Sequence, residues 1–254
     1  MHLTHLFGML TMGLIPLAIA PGAEATAPQP LVVLYIKDPW LMVIGSDSPR
    51  FALYDDGLVI YASGDREPEK AYLFKKLSSE ELNGLVNRLN LDRKLGGLDG
   101  KVFTSLSATD QPRNILCYRV NGKRKAVEVY GPPHHKEPGN PGVDEIPLAF
   151  LDIFDFLTTF HARGESTWLP ASIEVMIWPF DNSLGEPMPW PREWPGIDDP
   201  RTRKRGNDSY SIYLDSRHFP DFLTMLRSMS GSQALLLDDK KWAVSYRFPF
   251  PGGF

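Results

Sequence analysis

The chain predicts an α+β protein of antiparallel sheets with three principal helices, and three observations carry that expectation. β-rich runs meet at Asp56-Gly57 and at Asn121-Gly122, dipeptides that accept the positive φ angles of tight hairpin turns. Apolar side chains recur at helical intervals from Leu82 to Leu89, from Ile146 to Leu157 and from Phe219 to Met229. The order strand, helix, hairpin occurs in each half of the chain, an adjacency common in α+β proteins.

The elements follow in chain order. Leu6 through Ala20 is a nearly continuous apolar run, broken by Gly8, Gly13 and Pro16 and followed by the Ala25-Thr26-Ala27 triplet. Residues 1–27 therefore read as a secretory signal peptide. The run is shorter than the roughly 20 apolar residues a membrane-spanning helix needs, so it reads as a cleaved address that leaves no stable anchor. The segment ahead of it, Met1 to His5, holds no Lys or Arg, and its positive charge rests on the amino terminus and two histidines.

The remainder divides into an N-terminal subdomain, 28–163, and a C-terminal one, 164–254. In the first, Phe51 to Tyr61 is a hairpin; with Asp56 and Gly57 as the two turn residues, Tyr54 faces Val59, Leu53 faces Ile60 and Ala52 faces Tyr61. A strand over 71–75 leads to Ser78 and Glu81, spaced as a capping box ahead of the Leu82, Leu85, Val86, Leu89 stripe. A second hairpin spans Ile115 to Tyr130. A two-residue turn there sets Arg119 opposite Arg124, whereas a four-residue loop pairs Tyr118 with Val127 and Leu116 with Val129, and like-charge avoidance favours the longer loop. Ile146, Phe150, Ile153, Phe154 and Leu157 then mark a helix ending near Phe160.

In the second subdomain, Ile173 to Trp178 is a strand and 179–207 an irregular segment long enough to suggest a binding loop or insertion. Tyr210 to Leu214 is a strand, Ser216 caps the third helix, and Gln233 to Leu237 and Trp242 to Phe248 flank a polar turn. The repeated strand-helix-hairpin order fits two similar subdomains arising by duplication, and equally the ordinary adjacency of such elements.

Composition narrows the function. The chain has 254 residues, 43% hydrophobic and 23% charged, with a net charge of −4, which argues against general affinity for nucleic acid or anionic lipid. Cys117 is the single cysteine, so no internal disulfide forms, and no cysteine follows the leader to carry a lipid. Its setting, Ile115 to Val120, reads as a half-buried strand in which cysteine acts as a small hydrophobe.

The hairpin Phe51-Ala52-Leu53-Tyr54-Asp55-Asp56-Gly57-Leu58-Val59-Ile60-Tyr61, the strand after it and Leu77-Ser78-Ser79-Glu80-Glu81-Leu82 resemble a pattern found in exported bacterial domains of unknown function. The resemblance covers a short stretch of turn and cap chemistry. It implies a bacterial envelope setting and no catalytic residues.

Three constellations are candidates for function. Trp190 and Trp194, with Arg192 between them, sit in a proline-stiffened segment near Trp178, where indole faces suit recognition of sugars, prolines or cations. The competing expectation is that both rings fold back over the sheet. His134 and His135, with Glu137, Asp144 and Glu145, offer metal-ligand chemistry without metal-ligand spacing, and His161 and His218 can join them only through the fold. Arg201-Thr202-Arg203-Lys204-Arg205 concentrates four cations between Asp198, Asp199 and Asp208 and reads as a solvated loop.

The sequence holds no serine elbow, phosphate-cradling glycine loop, paired-cysteine motif or helical His-Glu-His arrangement. The expectation is a periplasmic or secreted, non-enzymatic module with no cofactor or metal, binding a protein or cell-wall component through Trp190, Trp194 and Arg192. The alternative is a hydrolase of an envelope polymer using carboxylates or histidines assembled by folding. A self-associating module is a third reading.

Overall fold

The computed structural model describes residues 27–39, 48–63, 71–134, 143–206 and 208–252; residues 1–26, most of the expected signal peptide, lie outside them. Mixed α and β content in two mostly antiparallel sheets makes this an α+β protein. The first sheet has eight strands: β1 (Pro30–Lys37), β2 (Phe51–Tyr54), β3 (Leu58–Ser63), β4 (Ala71–Lys76), β5 (Val102–Thr104), β6 (Arg113–Val120), β7 (Lys123–Tyr130) and β8 (Ser166–Trp168). They lie in the order β5-β7-β6-β1-β2-β3-β4-β8, antiparallel except for β5 beside β7. The second sheet has six: β9 (Ser172–Pro179), β10 (Met188–Pro189), β11 (Arg203–Lys204), β12 (Tyr210–Asp215), β13 (Leu235–Leu237) and β14 (Lys240–Arg247), in the order β10-β13-β14-β9-β12-β11. The chain passes from one sheet to the other after Trp168, so β8 of the 164–254 stretch belongs to the first sheet.

Strand alternation sends Val32, Leu34, Phe51, Leu53, Val59, Tyr61, Leu116, Tyr118, Val127 and Val129 to one face of the first sheet. Three helices close that face: α1 (Ser79–Leu89) through Leu85 and Leu89, α2 (Leu91–Leu95) through Leu91 and Leu95, and α3 (Leu148–Thr158) through Phe150, Ile153 and Leu157. The opposite face, with Val33, Ala52, Tyr54, Ile60, Ala62 and Tyr72, shares one apolar cluster with Ile173, Val175, Ile177, Ile212 and Leu214 of the second sheet and with Phe222 of α4 (Phe219–Ser228). β2 is buried at all four positions for that reason. Among the described residues, no helix is long and apolar enough to cross a membrane.

Side-chain caps start α1 and the turn that leads into α4, whereas α3 begins after Pro147 without one. The capping box forms as expected: Ser78 Oγ accepts from the Glu81 N–H at 3.2 Å, and the Glu81 carboxylate accepts from the Ser78 N–H at 2.8 Å. Lys75 adds an ion pair to Glu81 at 2.6 Å. Val86 is 41% exposed, so the buried stripe of α1 is narrower than the spacing suggests. The third cap differs from expectation. Asp215, not Ser216, accepts the first N–H, from Arg217; a 3₁₀ turn over Ser216–His218 then leads into α4, and Ser216 donates to the Pro170 carbonyl.

Both hairpins correct the expected registers. At the first, the Gly57 N–H donates to the Tyr54 carbonyl and Gly57 has φ +84°, so the loop is Asp55-Asp56 followed by a left-handed glycine. The pairs become Phe51 with Tyr61, Ala52 with Ile60 and Leu53 with Val59, one residue from the two-residue arrangement. At the second, Asn121 at φ +51° and Gly122 at φ +75° make a two-residue turn, which sets Arg119 opposite Arg124 and Leu116 opposite Val127. The longer loop would keep the same side chains on the same face, because it shifts register by two, so burial does not choose between them. Turn chemistry does. The like charges sit near the turn, where Arg124 is exposed and the half-buried Arg119 guanidinium donates to Gln29 Oε1 at 3.2 Å.

Strand, helix and hairpin do recur in order, but the hairpins attach differently. β6, the first arm, pairs with β1 in the first sheet; β14, the second arm, pairs with β9 in the second.

The two turn glycines separate conformational strain from steric fit. Both have positive φ, yet a Cβ at Gly57 meets the Leu77 carbonyl oxygen at 2.8 Å while one at Gly122 meets nothing within 4 Å. Gly122→Ala should lower stability by about 1 kcal/mol. Gly57→Ala should cost measurably more, by urea denaturation with unchanged slope. Equal losses would show that the Leu77 contact is easily relieved.

Candidate functional site

The two tryptophans expected to form a recognition surface are part of the core. Trp190 is 6% exposed and Trp194 7%, their rings meet edge to face at 5.1 Å, and both pack against Phe222 of α4. The Trp190 indole N–H donates to the Pro195 carbonyl at 3.0 Å, which satisfies its polar edge inside the protein. Proline limits the loop's freedom while the rings cover α4 and the second sheet. Arg192, between them, is exposed. Residues 180–202 are tied down by backbone bonds, among them Leu184 to Ser232, Met188 to Ala234 and Trp190 to Leu236.

A different set of residues gathers between the sheets. Register puts Glu174 directly beside Tyr213 on β12 and Arg247 on β14, and Arg203 on β11 beside Ser211. Alternation then places Arg203, Ser211, Tyr213, Glu174 and Arg247 on one face of the second sheet. On the first sheet, Tyr35 pairs with Ile115, and Lys37 and Cys117 lie two residues along the same strands. All of these except the fully buried Ser211, with Pro49, Arg205 and Phe248 to Phe250, line a cleft of about 710 Å³.

Glu174 organises this cleft. It is 2% exposed, in a strand otherwise buried from Ile173 to Ile177. An unpaired carboxylate there would cost several kcal/mol, roughly, so its oxygens must be engaged. One accepts from Ser211 Oγ at 2.6 Å and from the Arg205 guanidinium; the other accepts from Arg247 Nε at 2.7 Å. Arg205 Nε also donates to Ser211 Oγ at 2.8 Å. Burial pushes the Glu174 carboxyl up, but the hydrogen bonds from Arg247 and Ser211 and the charges of Arg247 and Arg205 outweigh it and hold the carboxyl below its usual range.

The rest of the lining is cationic and aromatic. Lys37 lies over the Tyr35 ring at 5.8 Å and Arg203 over the Tyr213 ring at 5.6 Å. Burial raises the Tyr35 phenol, with the neighbouring Cys117 adding to the effect, and burial raises the Cys117 thiol. Among the described residues, Lys37, Arg203, Arg205 and Arg247 thus face a single carboxylate, Glu174. All four cations of the basic run are exposed, as expected of a solvated segment, but the run is more than a loop. Arg201 pairs with Asp199 at 3.0 Å, Arg203 and Lys204 belong to an edge strand, and Arg205 reaches the buried carboxylate.

Among the described residues, the histidine constellation does not assemble. His135 and Glu137 lie outside the described residues. His134 is exposed beside the Pro132 carbonyl, His161 meets Tyr61 at the end of α3, and His218 packs on Trp194 at the start of α4. Asp144 is engaged by the Thr104 N–H at 2.7 Å. Among the described residues, no three His, Cys, Asp or Glu side chains gather as a metal site would require. Compared with known protein families, curated proteins and solved structures, the chain matches none.

Two outcomes test this placement. Trp190→Ala and Trp194→Ala should each destabilise the protein by about 3–5 kcal/mol, as large-to-small core changes do. A loss below about 1 kcal/mol in chemical denaturation would put the rings on the surface instead. Because the folded state lowers the Glu174 pKa, its contribution is present above the ordinary value of 4.5 and disappears as pH falls through the folded value. Melting temperature should therefore fall on acidification below that point, and the Glu174→Gln variant, less stable at neutral pH, should show a shallower fall. Parallel curves for the two proteins would rule out this linkage.

Proposed function

We propose that this protein is exported to the bacterial envelope and acts there as a non-enzymatic module that binds a protein or cell-wall component, with the cleft between the sheets as its binding surface. Export rests on the apolar leader and the Ala25-Thr26-Ala27 triplet. The first strand begins at Pro30, just beyond that triplet, so cleavage after residue 27 would leave the folded body whole.

The observation that carries the binding role is the pair of arginines held on Glu174 beside aromatic walls. Arginines fixed in this way present donors to a ligand with little ordering left to do. A carboxylate that already accepts from three donors suits positioning better than proton transfer. The thiol nearby is raised by burial, which opposes the thiolate a nucleophile needs. The cleft volume of about 710 Å³ lies within the range of small-ligand sites and also admits a short segment of a polymer.

Fractionation and binding test the two halves of the proposal. Expressed in a bacterial host, the full-length protein should appear outside the cytoplasm with a new amino terminus at Pro28; an uncleaved soluble protein inside the cell would overturn the export reading. The purified protein should co-sediment with isolated cell-wall sacculi or with a purified envelope fraction. Tyr213→Ala should weaken that retention at least tenfold with little change in melting temperature. Equal retention of the variant would remove the cleft as the surface.

A further inference from the structure

We infer that the cleft is an oxyanion site: its ligand carries a carboxylate or phosphate group that seats between Arg205 and Arg247, with an apolar or ring-shaped body against Tyr35, Phe248 and Phe250. This inference rests on the binding role proposed above and names the chemistry of the ligand.

Three observations point to it. The chain as a whole is acidic, with a net charge of −4, yet among the described residues the cleft gathers four cations against one carboxylate. The field there is therefore opposite in sign to the protein's average, as in a site that concentrates anions. The cations come in two tiers. Arg205 and Arg247 are fastened to Glu174 and so lose less freedom when a ligand arrives, and the Arg205 side chain remains 43% exposed. Lys37 and Arg203 lie over tyrosine rings at the sides, close enough for long-range attraction of an anion. Guanidinium groups match the geometry of carboxylate and phosphate oxygens, which selects oxyanions over halides.

Glu174 is a positioning residue in this arrangement, and its sign makes the inference testable. If the cleft attracted anions by net charge alone, removing the carboxylate would tighten binding. If Glu174 aims the two guanidinium groups, removing it loosens binding although the cleft becomes more positive.

Titration calorimetry on the purified protein would use three probes: citrate for carboxylate, pyrophosphate for phosphate, and chitotriose as a neutral saccharide. Citrate or pyrophosphate should bind, more weakly as salt is raised, and chitotriose should not. Response to citrate alone assigns carboxylate chemistry, response to pyrophosphate alone assigns phosphate, and response to both leaves the shared oxyanion as the determinant. The Lys37→Glu, Arg203→Glu double variant lies outside the Glu174 network and should keep the melting temperature while losing at least tenfold in affinity. Glu174→Gln should lose at least fivefold, with circular dichroism confirming a folded protein. If that variant is unfolded, the double variant decides the test alone.

No binding of either anion, or unchanged binding by the double variant, would overturn the oxyanion site. Tighter binding by folded Glu174→Gln would overturn the positioning role. Retention on sacculi by a protein that ignores both anions would overturn this inference alone and leave the envelope-binding reading in place.

Discussion

The fold depends on one constraint: the first sheet is apolar on both faces and must be covered on both. β1, β2 and β3 carry Val32, Leu34, Phe51, Leu53 and Val59 to one side and Val33, Ala52, Tyr54 and Ile60 to the other. An antiparallel sheet with one solvated face would show apolar and polar residues in alternation; here the runs are apolar throughout. Three helices close one side. The other side merges with the core of the second sheet, α4 and the tryptophan segment, so the C-terminal half completes the burial that the N-terminal half begins. Tyr72, Trp168, Phe248 and Phe250 form an aromatic cluster where the two meet, with ring separations from 4.7 to 6.1 Å.

The cleft forms where this cover changes character. At Tyr35 and Ile115 the first sheet still offers apolar surface, but the facing residues of the second sheet are Glu174, Tyr213 and Arg247. A sheet pair packed only for stability would place aliphatic side chains there, since a buried ion network is seldom more stable than a hydrophobic one of similar volume. Glu174 therefore holds the arginines at a cost in stability that a purely structural role does not require, and Ser211 supplies the bond that completes the network.

Much of the fold was legible because it rests on local chemistry. The Ser78 capping box, the apolar stripes of α3 and α4, and the positive-φ turns at Gly57 and Asn121-Gly122 are written within a few residues of where they act. Registers were less legible. Asp55 can join Asp56 in the turn as readily as Asp56 can pair with Gly57, and only the strand ladder tells the two apart. The avoided Arg119 and Arg124 pairing was a weak effect weighed against a strong one, the backbone preference of Asn-Gly. β1 was legible in principle, for Leu31-Val32-Val33-Leu34-Tyr35-Ile36 is an unbroken apolar run typical of a strand buried on both faces. It lies just after the apolar run of Leu6 to Ala20, which competes with it as the hydrophobic signal of that region.

The site was less legible than the fold because its members come from six strands and the C-terminal segment. One signal was present: Glu174 interrupts Ile173-Glu174-Val175-Met176-Ile177, and a carboxylate inside an apolar strand requires cationic partners. The partners were also visible, as Arg203 and Arg205 in the basic run and Arg247 at the end of the last strand. Treating the basic run as one object obscured this, because neighbouring acidic residues balance its total charge. In a strand, adjacent residues point to opposite faces, so Arg203 and Lys204 have different surroundings despite their equal charge. Net charge over a segment measures solubility; the sign of a binding site is set by the residues that share its face. The tryptophans misled for the converse reason. Their number and their prolines advertised a surface, but an indole whose N–H finds a carbonyl at 3.0 Å has no remaining need for water, and its apolar rings gain most by burial.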